Sequence, residues 1–151
     1  MKLKLVLTAL LSLGLLVNVS NAQFRKIPIE ATNALKVKYP QATNVAWKGG
    51  LSTYKAAFDI DNVRHTAEFN SKGEWVRTER RLTYDKLPAS VADGLHKSLY
   101  ADWEHSELLQ VDEKDKETEF RIRVKKSSFS GKYLYFNSTG RLLREGISIK
   151  S

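Results

Sequence analysis

The sequence predicts an α+β protein made of two tandem units, each a helix followed by a four-stranded antiparallel meander. Three observations lead to this prediction. A turn-like segment at residues 69–77 recurs at residues 136–144, matching at Phe, Asn, Ser, Gly and the final Arg. Strand-like alternation of apolar and polar residues precedes each copy. A Pro followed by apolar residues at helical spacing opens each unit. One order of elements is therefore used twice.

The first segment is predicted to be a signal peptide. Lys2 and Lys4 form a short basic region, an apolar run follows to Val19, and small residues end at Ala22. The apolar run is too short to span a membrane comfortably, and no basic stop-transfer cluster follows it closely. We expect residues 1–22 to be removed after Ala22, which leaves a periplasmic or secreted protein without a stable membrane anchor.

The composition of the chain supports a periplasmic or secreted location. Of its 151 residues 42% are hydrophobic and 28% are charged, which is typical of a globular protein that can bury a core. There is no Cys, so neither a lipoprotein anchor nor a disulfide is available. Export without disulfides suits a bacterial periplasm. The formal net charge of +8 favours an anionic partner.

The first predicted unit covers residues 23–84. Its helix begins at Pro28, carries Ala31, Leu35 and Tyr39 at helical spacing, and is stopped by Pro40. Four strands follow, with a turn at residues 59–62 between the second and the third. The predicted strands cover residues 43–47, 52–59, 63–69 and 74–81.

The second predicted unit covers residues 85–151 and repeats this order. Pro88 opens a helix whose apolar face is formed by Val91, Leu95 and Leu99. The loops at residues 112–117 and 127–131 are longer and more polar than those of the first unit. The predicted strands cover residues 106–111, 120–125, 133–136 and 142–149.

The repeated turn is assigned a structural role in both units. Asn70 and Asn137 can bond the backbone of their own turn, while Gly73 and Gly140 supply the positive φ that a type I turn with a bulge requires. These four residues are predicted to shape the fold and not to carry chemistry.

A set of residues concentrated in the first unit resembles a known family. The matching residues are Tyr39, Pro40, Ala42, Thr43, Val45, Trp47, Tyr54, Lys55, Ala56, Phe58, Phe69, Gly73, Trp75, Leu87 and Pro88. This pattern is similar to that of the PepSY-like, β-lactamase-inhibitor-like family of exported Bacteroidetes proteins, over essentially the whole mature chain. The second half departs from it, with Leu99 and Tyr100 where Tyr-Pro would stand and Trp103 and Glu104 displaced.

The resemblance implies that both units share one curved sheet with the helices on its convex face. The family has no established catalytic residues to transfer to this chain. The comparison with an inhibitor is one of fold, and fold alone does not carry function.

The sequence offers no catalytic or metal-binding motif. The three His residues, His65, His96 and His105, have no metal-ligand spacing, and His65 is expected to be semi-buried on the apolar side of its strand. Residues 59–62 resemble the start of a calcium-binding loop, but Arg64 stands at the sixth position, where such a loop has a glycine. No nucleophile motif or phosphate loop is present. We therefore predict no cofactor, no metal and no catalytic residue, and the protein is not expected to be an enzyme.

The face of the sheet opposite the helices is the predicted binding surface. If Phe120, Ile122 and Leu134 face the helices, their neighbours along each strand lie on the open face. The residues predicted to bind a partner are Arg64, Glu68, Arg121, Arg123, Tyr133 and Tyr135. Tyr and Arg are favoured in recognition surfaces because they combine large contact area with directional bonds. The alternative is that they form cross-strand pairs that only stabilise the sheet.

The expected partner is an exported protein with an acidic surface or an anionic envelope polymer, because an exported protein rarely meets nucleic acid. The sequence thus predicts a non-catalytic periplasmic or secreted binding module. The family resemblance suggests a proteinaceous inhibitor or a chaperone-like binder of an exported enzyme. The alternative is an envelope protein that binds anionic polymer or a small ligand through the same face.

Overall fold

The computed structural model describes residues 26–127 and 130–148. The predicted signal peptide and Ile149 lie outside the described residues. The elements in chain order are α1 (Ile29–Lys38), β1 (Thr43–Gly49), β2 (Thr53–Ile60), β3 (Val63–Asn70), β4 (Trp75–Arg81), a 3-10 turn at Tyr84–Lys86, α2 (Ala89–His96), β5 (Glu104–Glu113), β6 (Glu119–Ser127), β7 (Ser130–Asn137) and β8 (Leu142–Ile147).

All eight strands form one antiparallel sheet in the order β1 to β8, so that β1 and β8 are its two edges and the sheet is open. Each strand pairs with the next one along the chain, which is the pattern of a continuous meander. The predicted α+β class, with two helices and one antiparallel sheet shared by both halves, is confirmed.

Both helices pack on the same face of the sheet. Ala31 and Leu35 of α1 are buried against a cluster that contains Phe58 and Phe69, while α2 packs on a second, larger cluster. The members of the second cluster on α2 and the sheet include Val91, Leu95, Leu108, Phe120, Ile122, Val124, Leu134 and Phe136. Burial of each large apolar side chain contributes about 1.5–3 kcal/mol, so the two clusters provide the main stabilisation of this disulfide-free chain.

The strand register shows that the two clusters share one face. On the helix face, Ala67 of β3 pairs with Thr78 of β4, and Gln110 of β5 pairs with Phe120 of β6. Thr78 and Gln110 lie between the two clusters. Polar side chains therefore separate two otherwise apolar halves.

The two repeated turns have the same backbone geometry. Gly73 has φ of 78° and Gly140 has φ of 81°, both in the left-handed region. The side-chain oxygen of Asn70 accepts from the amide of Glu74 at 3.0 Å, and that of Asn137 accepts from the amide of Arg141 at 2.9 Å. A third turn joins β2 to β3, where Asp61 and Asn62 both have positive φ, as a two-residue hairpin turn requires.

The predicted apolar face of the second helix is wrong at its last member. Leu99 is 91% exposed, whereas Tyr100 is buried in the second cluster. The reason is that α2 ends at His96. The hydroxyl of Ser98 then donates to the carbonyl oxygen of Leu95 and accepts from the amide of Tyr100, so a tight turn replaces a further helical turn. The chain direction changes, and Leu99 points to solvent.

Candidate functional site

The residues predicted to bind a partner lie on the open face, opposite the helices. Arg121 and Arg123 of β6 pair directly with Tyr135 and Tyr133 of β7, and all four alternate with buried residues of the second cluster. Arg64 and Glu68 lie on β3, separated from this group by β4 and β5. The structure therefore brings four of the predicted residues together and leaves the other two at a distance on the same face.

The second half of the open face carries a patch in which tyrosine rings contact arginine guanidinium groups. The guanidinium carbons of Arg121 and Arg123 lie 5.4 and 5.9 Å from the centre of the Tyr133 ring. That of Arg144 lies 3.9 Å from the centre of the Tyr135 ring. These distances are within the range of cation–π attraction. We call these five residues the Tyr–Arg patch.

Arg144 is a member of the patch that the sequence reasoning missed. It lies on β8 and pairs across the sheet with Tyr135. The sequence contained a usable signal, because the repeated turn sets the register of the hairpin that joins β7 to β8. Reading the pairing outward from that turn would have placed Arg144 beside Tyr135.

Carboxylates hold two of the patch arginines in place. Arg144 donates to both oxygens of Glu119 at 2.7 Å, which is the bidentate geometry that favours Arg over Lys. This hydrogen bonding lowers the pKa of Glu119 below its ordinary value. Arg121 contacts Glu79 at 3.4 Å and Glu107 at 3.9 Å, reaching across β5 to do so. Carboxylates on three strands, Glu79 on β4, Glu107 on β5 and Glu119 on β6, therefore order the patch.

Glu68 belongs to a ladder of alternating charges on the first half of the open face. It accepts from Arg77 at 2.9 Å and lies 3.9 Å from Lys55, and Arg77 in turn lies 3.8 Å from Glu79. Partial burial alone would raise the pKa of Glu68. Hydrogen bonds from Thr53 and Arg77 outweigh this effect, and the pKa is lowered. Much of the predicted basic surface is thus a network of paired charges.

Arg64 lies apart from both groups. Its guanidinium donates to Asp59 at 3.2 Å, at the end of the sheet where β2 turns into β3. Hydrogen bonds from Asn44 and Arg64 lower the pKa of Asp59. Arg64 therefore marks the margin of the open face.

The three His residues lie on different elements. His65 on β3 is buried, stacks on Phe58 and hydrogen-bonds to the carbonyl oxygen of Val63 at 2.8 Å, as expected for a semi-buried residue. His105 on β5 stacks on Tyr84, and burial lowers its pKa. His96 ends α2 and is exposed. Within residues 26–127 and 130–148, no three His, Asp or Glu side chains cluster in a way that could hold a metal ion.

None of the helices in the described part of the chain is both long and apolar enough to cross a membrane.

The fold defines a class of protein: an open eight-stranded antiparallel sheet with two helices on one face and a polar opposite face. Residues 52–144 match the family profile described as "Putative beta-lactamase-inhibitor-like, PepSY-like". The chain belongs to this family, which confirms the resemblance seen in its sequence.

Solved structures from Bacteroides species share the fold. A DUF2874 family protein from Bacteroides ovatus superposes with a TM-score of 0.77 at 25% identity, covering 81% of this chain and 88% of that one. A BLIP-like protein from Bacteroides fragilis gives 0.76 at 27% identity, covering 81% and 86%. A protein from Bacteroides eggerthii, described as a putative periplasmic protein, gives 0.76 at 25% identity, covering 81% and 89%. No curated protein matches the sequence.

Proposed function

We propose that this protein is a non-catalytic binding module, periplasmic or secreted, that holds an exported protein against the open face of its sheet. The finer form of the proposal is an inhibitor or a chaperone-like binder of an exported enzyme. The family description and the BLIP-like relative support this form, although neither names a partner for this chain.

The observation that carries the proposal is that contacts within the protein order the side chains of the Tyr–Arg patch. Tyr133 lies against two guanidinium groups, and Tyr135 lies against a third that is itself fixed by Glu119. A side chain that is already immobilised loses little rotational freedom when it binds. Tyr and Arg are also the residues that most often dominate interface energies. The patch is therefore suited to recognise a folded surface.

The same network argues against an anionic polymer as the main partner. A polymer is held through many unpaired cations, and such binding weakens steeply as salt rises. On the open face Arg77, Arg121 and Arg144 each contact a carboxylate. The charge that remains is smaller than the sequence suggests, which favours a partner that uses shape and aromatic contact.

Affinity capture tests the proposal, with the mature chain, residues 23–151, as bait. The bait is incubated with the envelope fraction of the native host at low and at high salt. We expect one discrete protein to be retained at both salt concentrations and to be lost from a bait that carries Tyr133→Ala with Arg123→Ala. Leu99→Ala, on the helix side and fully outside the patch, is the matched control and should retain the partner.

Two outcomes would contradict the proposal. Retention of anionic polymer alone, lost at high salt, would favour the envelope-binding alternative. Retention of the same protein by the doubly substituted bait would show that the open face is not the contact surface.

A further inference from the structure

A cleft of about 660 Å³ lies at one end of the sheet, between the β2–β3 turn and the segment that links β4 to α2. Its walls come from the turn on one side and from the end of β4 with the following linker on the other. The residues that define it are Val63, Arg64, Arg80, Arg81, Leu82 and Lys86. We call this the hairpin–linker cleft. It lies where the first unit of the chain passes into the second.

The charge lining the cleft is of one sign. Arg64, Arg80, Arg81 and Lys86 all contribute to its walls, and no carboxylate does so among the described lining residues. Within residues 26–127 and 130–148, Arg81 has neither an ion pair nor a side-chain hydrogen bond. Like charges gathered around one concave space repel each other and raise the local concentration of anions.

Two carboxylates outside the cleft offset only part of this charge. Asp59 lies 3.2 Å from Arg64, and Asp85 lies 3.9 Å from Lys86. The second pair is largely exposed on both sides, and such pairs are weak in water. A bound anion would therefore meet cations that the protein itself leaves mostly uncompensated.

Arg80 is held at the cleft by a neutral group. One terminal nitrogen donates to the amide oxygen of Gln110 at 2.5 Å, while its Nε is buried and has no hydrogen-bond partner. A buried guanidinium nitrogen without an acceptor is costly. The amide is neutral and orients the guanidinium group without cancelling its charge, and Gln110 in turn donates to Asp112 at 3.0 and 3.2 Å.

The cleft also has an apolar part. Val63 lines it from the hairpin, and the largely buried Leu82 lines it from the linker. An inorganic anion has no apolar part that could contact Val63 and Leu82, whereas a hydrocarbon segment would shield these side chains from water.

We propose that the hairpin–linker cleft binds a small amphipathic organic anion, with its carboxylate or phosphate at the arginines and a short hydrocarbon part against Val63 and Leu82. The site is independent of the Tyr–Arg patch, which lies on β6, β7 and β8. Arg64 is the one residue that belongs both to the cleft and to the predicted partner surface, so the test leaves it unchanged.

In the test, the isotope-labelled mature chain, residues 23–151, is titrated with each probe, and its amide NMR signals are recorded at every step. The probes are hexanoate and hexyl phosphate, with hexan-1-ol as the uncharged control and acetate as the control without a chain. We expect both amphipathic anions to shift amide signals at residues 62–64 and 80–86 and to bind more tightly than acetate or hexan-1-ol. Tighter binding of hexyl phosphate would assign a phosphate group to the natural ligand, and tighter binding of hexanoate a carboxylate.

Substitutions of exposed cations separate charge recognition from folding. Arg81→Gln combined with Lys86→Gln should weaken hexanoate and hexyl phosphate by about tenfold or more. Lys36→Gln combined with Lys72→Gln, an equal loss of two exposed charges outside the cleft, should leave the affinity unchanged. Two results would overturn the proposal: shifts at the cleft that are as large with hexan-1-ol as with the anions, or undiminished anion affinity in the doubly substituted chain. Absence of any shift at these residues with millimolar anion would overturn it as well.

Discussion

Gly140 lies directly against the backbone of Ser90, so that a Cβ atom added to the glycine would overlap the carbonyl oxygen of the serine. Gly73 has the same relationship with Glu30, whose carbonyl carbon would be 2.6 Å from the added atom. Ser90 and Glu30 both lie in the first turn of their helices. In each half of the protein, the repeated turn is therefore packed beneath the start of the helix, and glycine is required both by conformation and by space.

We expect Gly73→Val and Gly140→Val each to lower the free energy of unfolding by about 1–3 kcal/mol or more, because both positive φ and close backbone contact oppose a side chain. Urea unfolding at neutral pH measures this change. Gly146→Ala is the control, since its Cβ would make an ordinary contact of 3.6 Å with the Tyr135 ring. Unfolding midpoints equal to that of the unsubstituted chain would show that the turns do not pack as described.

The elements of this fold could be predicted from local sequence, whereas the contacts between distant elements could not. Alternation identified the strands, and the shared Asn and Gly identified both turns. The packing of Gly140 on Ser90 left no sequence signal, because the same glycine would suit a turn with open space beneath it. Leu99 was misplaced because the helical period cannot show where a helix stops, and here Ser98 ends it.

On the open face, too, contacts between distant elements could not be predicted from local sequence. Period-two alternation placed Arg121, Arg123, Tyr133 and Tyr135 on one face, since only the strand itself is needed for that inference. Their charge partners were not found. The bond between Arg144 and Glu119 joins β8 to β6, and that between Arg121 and Glu79 joins β6 to β4. Such pairs depend on the register of intervening strands, which composition and periodicity do not contain.

Thr78 provides a test of the polar region between the two core clusters. Its side chain is buried, its hydroxyl accepts from the indole nitrogen of Trp75 at 2.8 Å, and it shares a hydrogen bond of 2.5 Å with the hydroxyl of Tyr39. Burial also raises the pKa of Tyr39, which keeps its hydroxyl protonated. Thr78→Val keeps the shape but leaves two polar groups unpaired. We expect a loss of about 1–3 kcal/mol in the free energy of unfolding.

The control for this substitution is Thr66→Val on the open face of β3. The hydroxyl of Thr66 has no hydrogen-bond partner in the described part of the chain, so its loss should change stability by less than about 0.5 kcal/mol. Equal effects of the two substitutions would show that the hydrogen bonds of Thr78 contribute nothing beyond the packing of its methyl group.

The pair formed by Glu119 and Arg144 predicts a dependence of stability on pH. Hydrogen bonding from Arg144 lowers the pKa of Glu119 in the folded state below the ordinary 4.5. The contribution of the pair is therefore present above about pH 4.5 and is lost as the pH falls through the lowered value. Because Arg144 is half exposed, we expect about 0.5–1 kcal/mol at neutral pH.

Urea unfolding at pH 7 and at pH 3 measures this contribution. Glu119→Gln should destabilise the protein at pH 7 and should do so by less at pH 3, where more of the carboxylate is protonated. Glu117→Gln, at a neighbouring exposed position, should show no such difference between the two pH values. A constant effect of Glu119→Gln at both pH values would mean that ionisation of this carboxylate is not the source of the stability.

Site-specific photo-crosslinking shows directly whether the open face contacts a protein partner. A photoreactive phenylalanine analogue replaces Tyr133 or Tyr135 in one set of chains. In the other set it replaces Val37 or Leu99, which are 83% and 91% exposed and belong to the helix side. Each chain is exported, exposed to the native envelope and irradiated, and the adducts are separated by mass.

We predict a discrete protein adduct from positions 133 and 135, formed at low and at high salt and absent from positions 37 and 99. An adduct that forms only from positions 37 and 99, or none from any of the four, would show that the open face does not contact a protein partner.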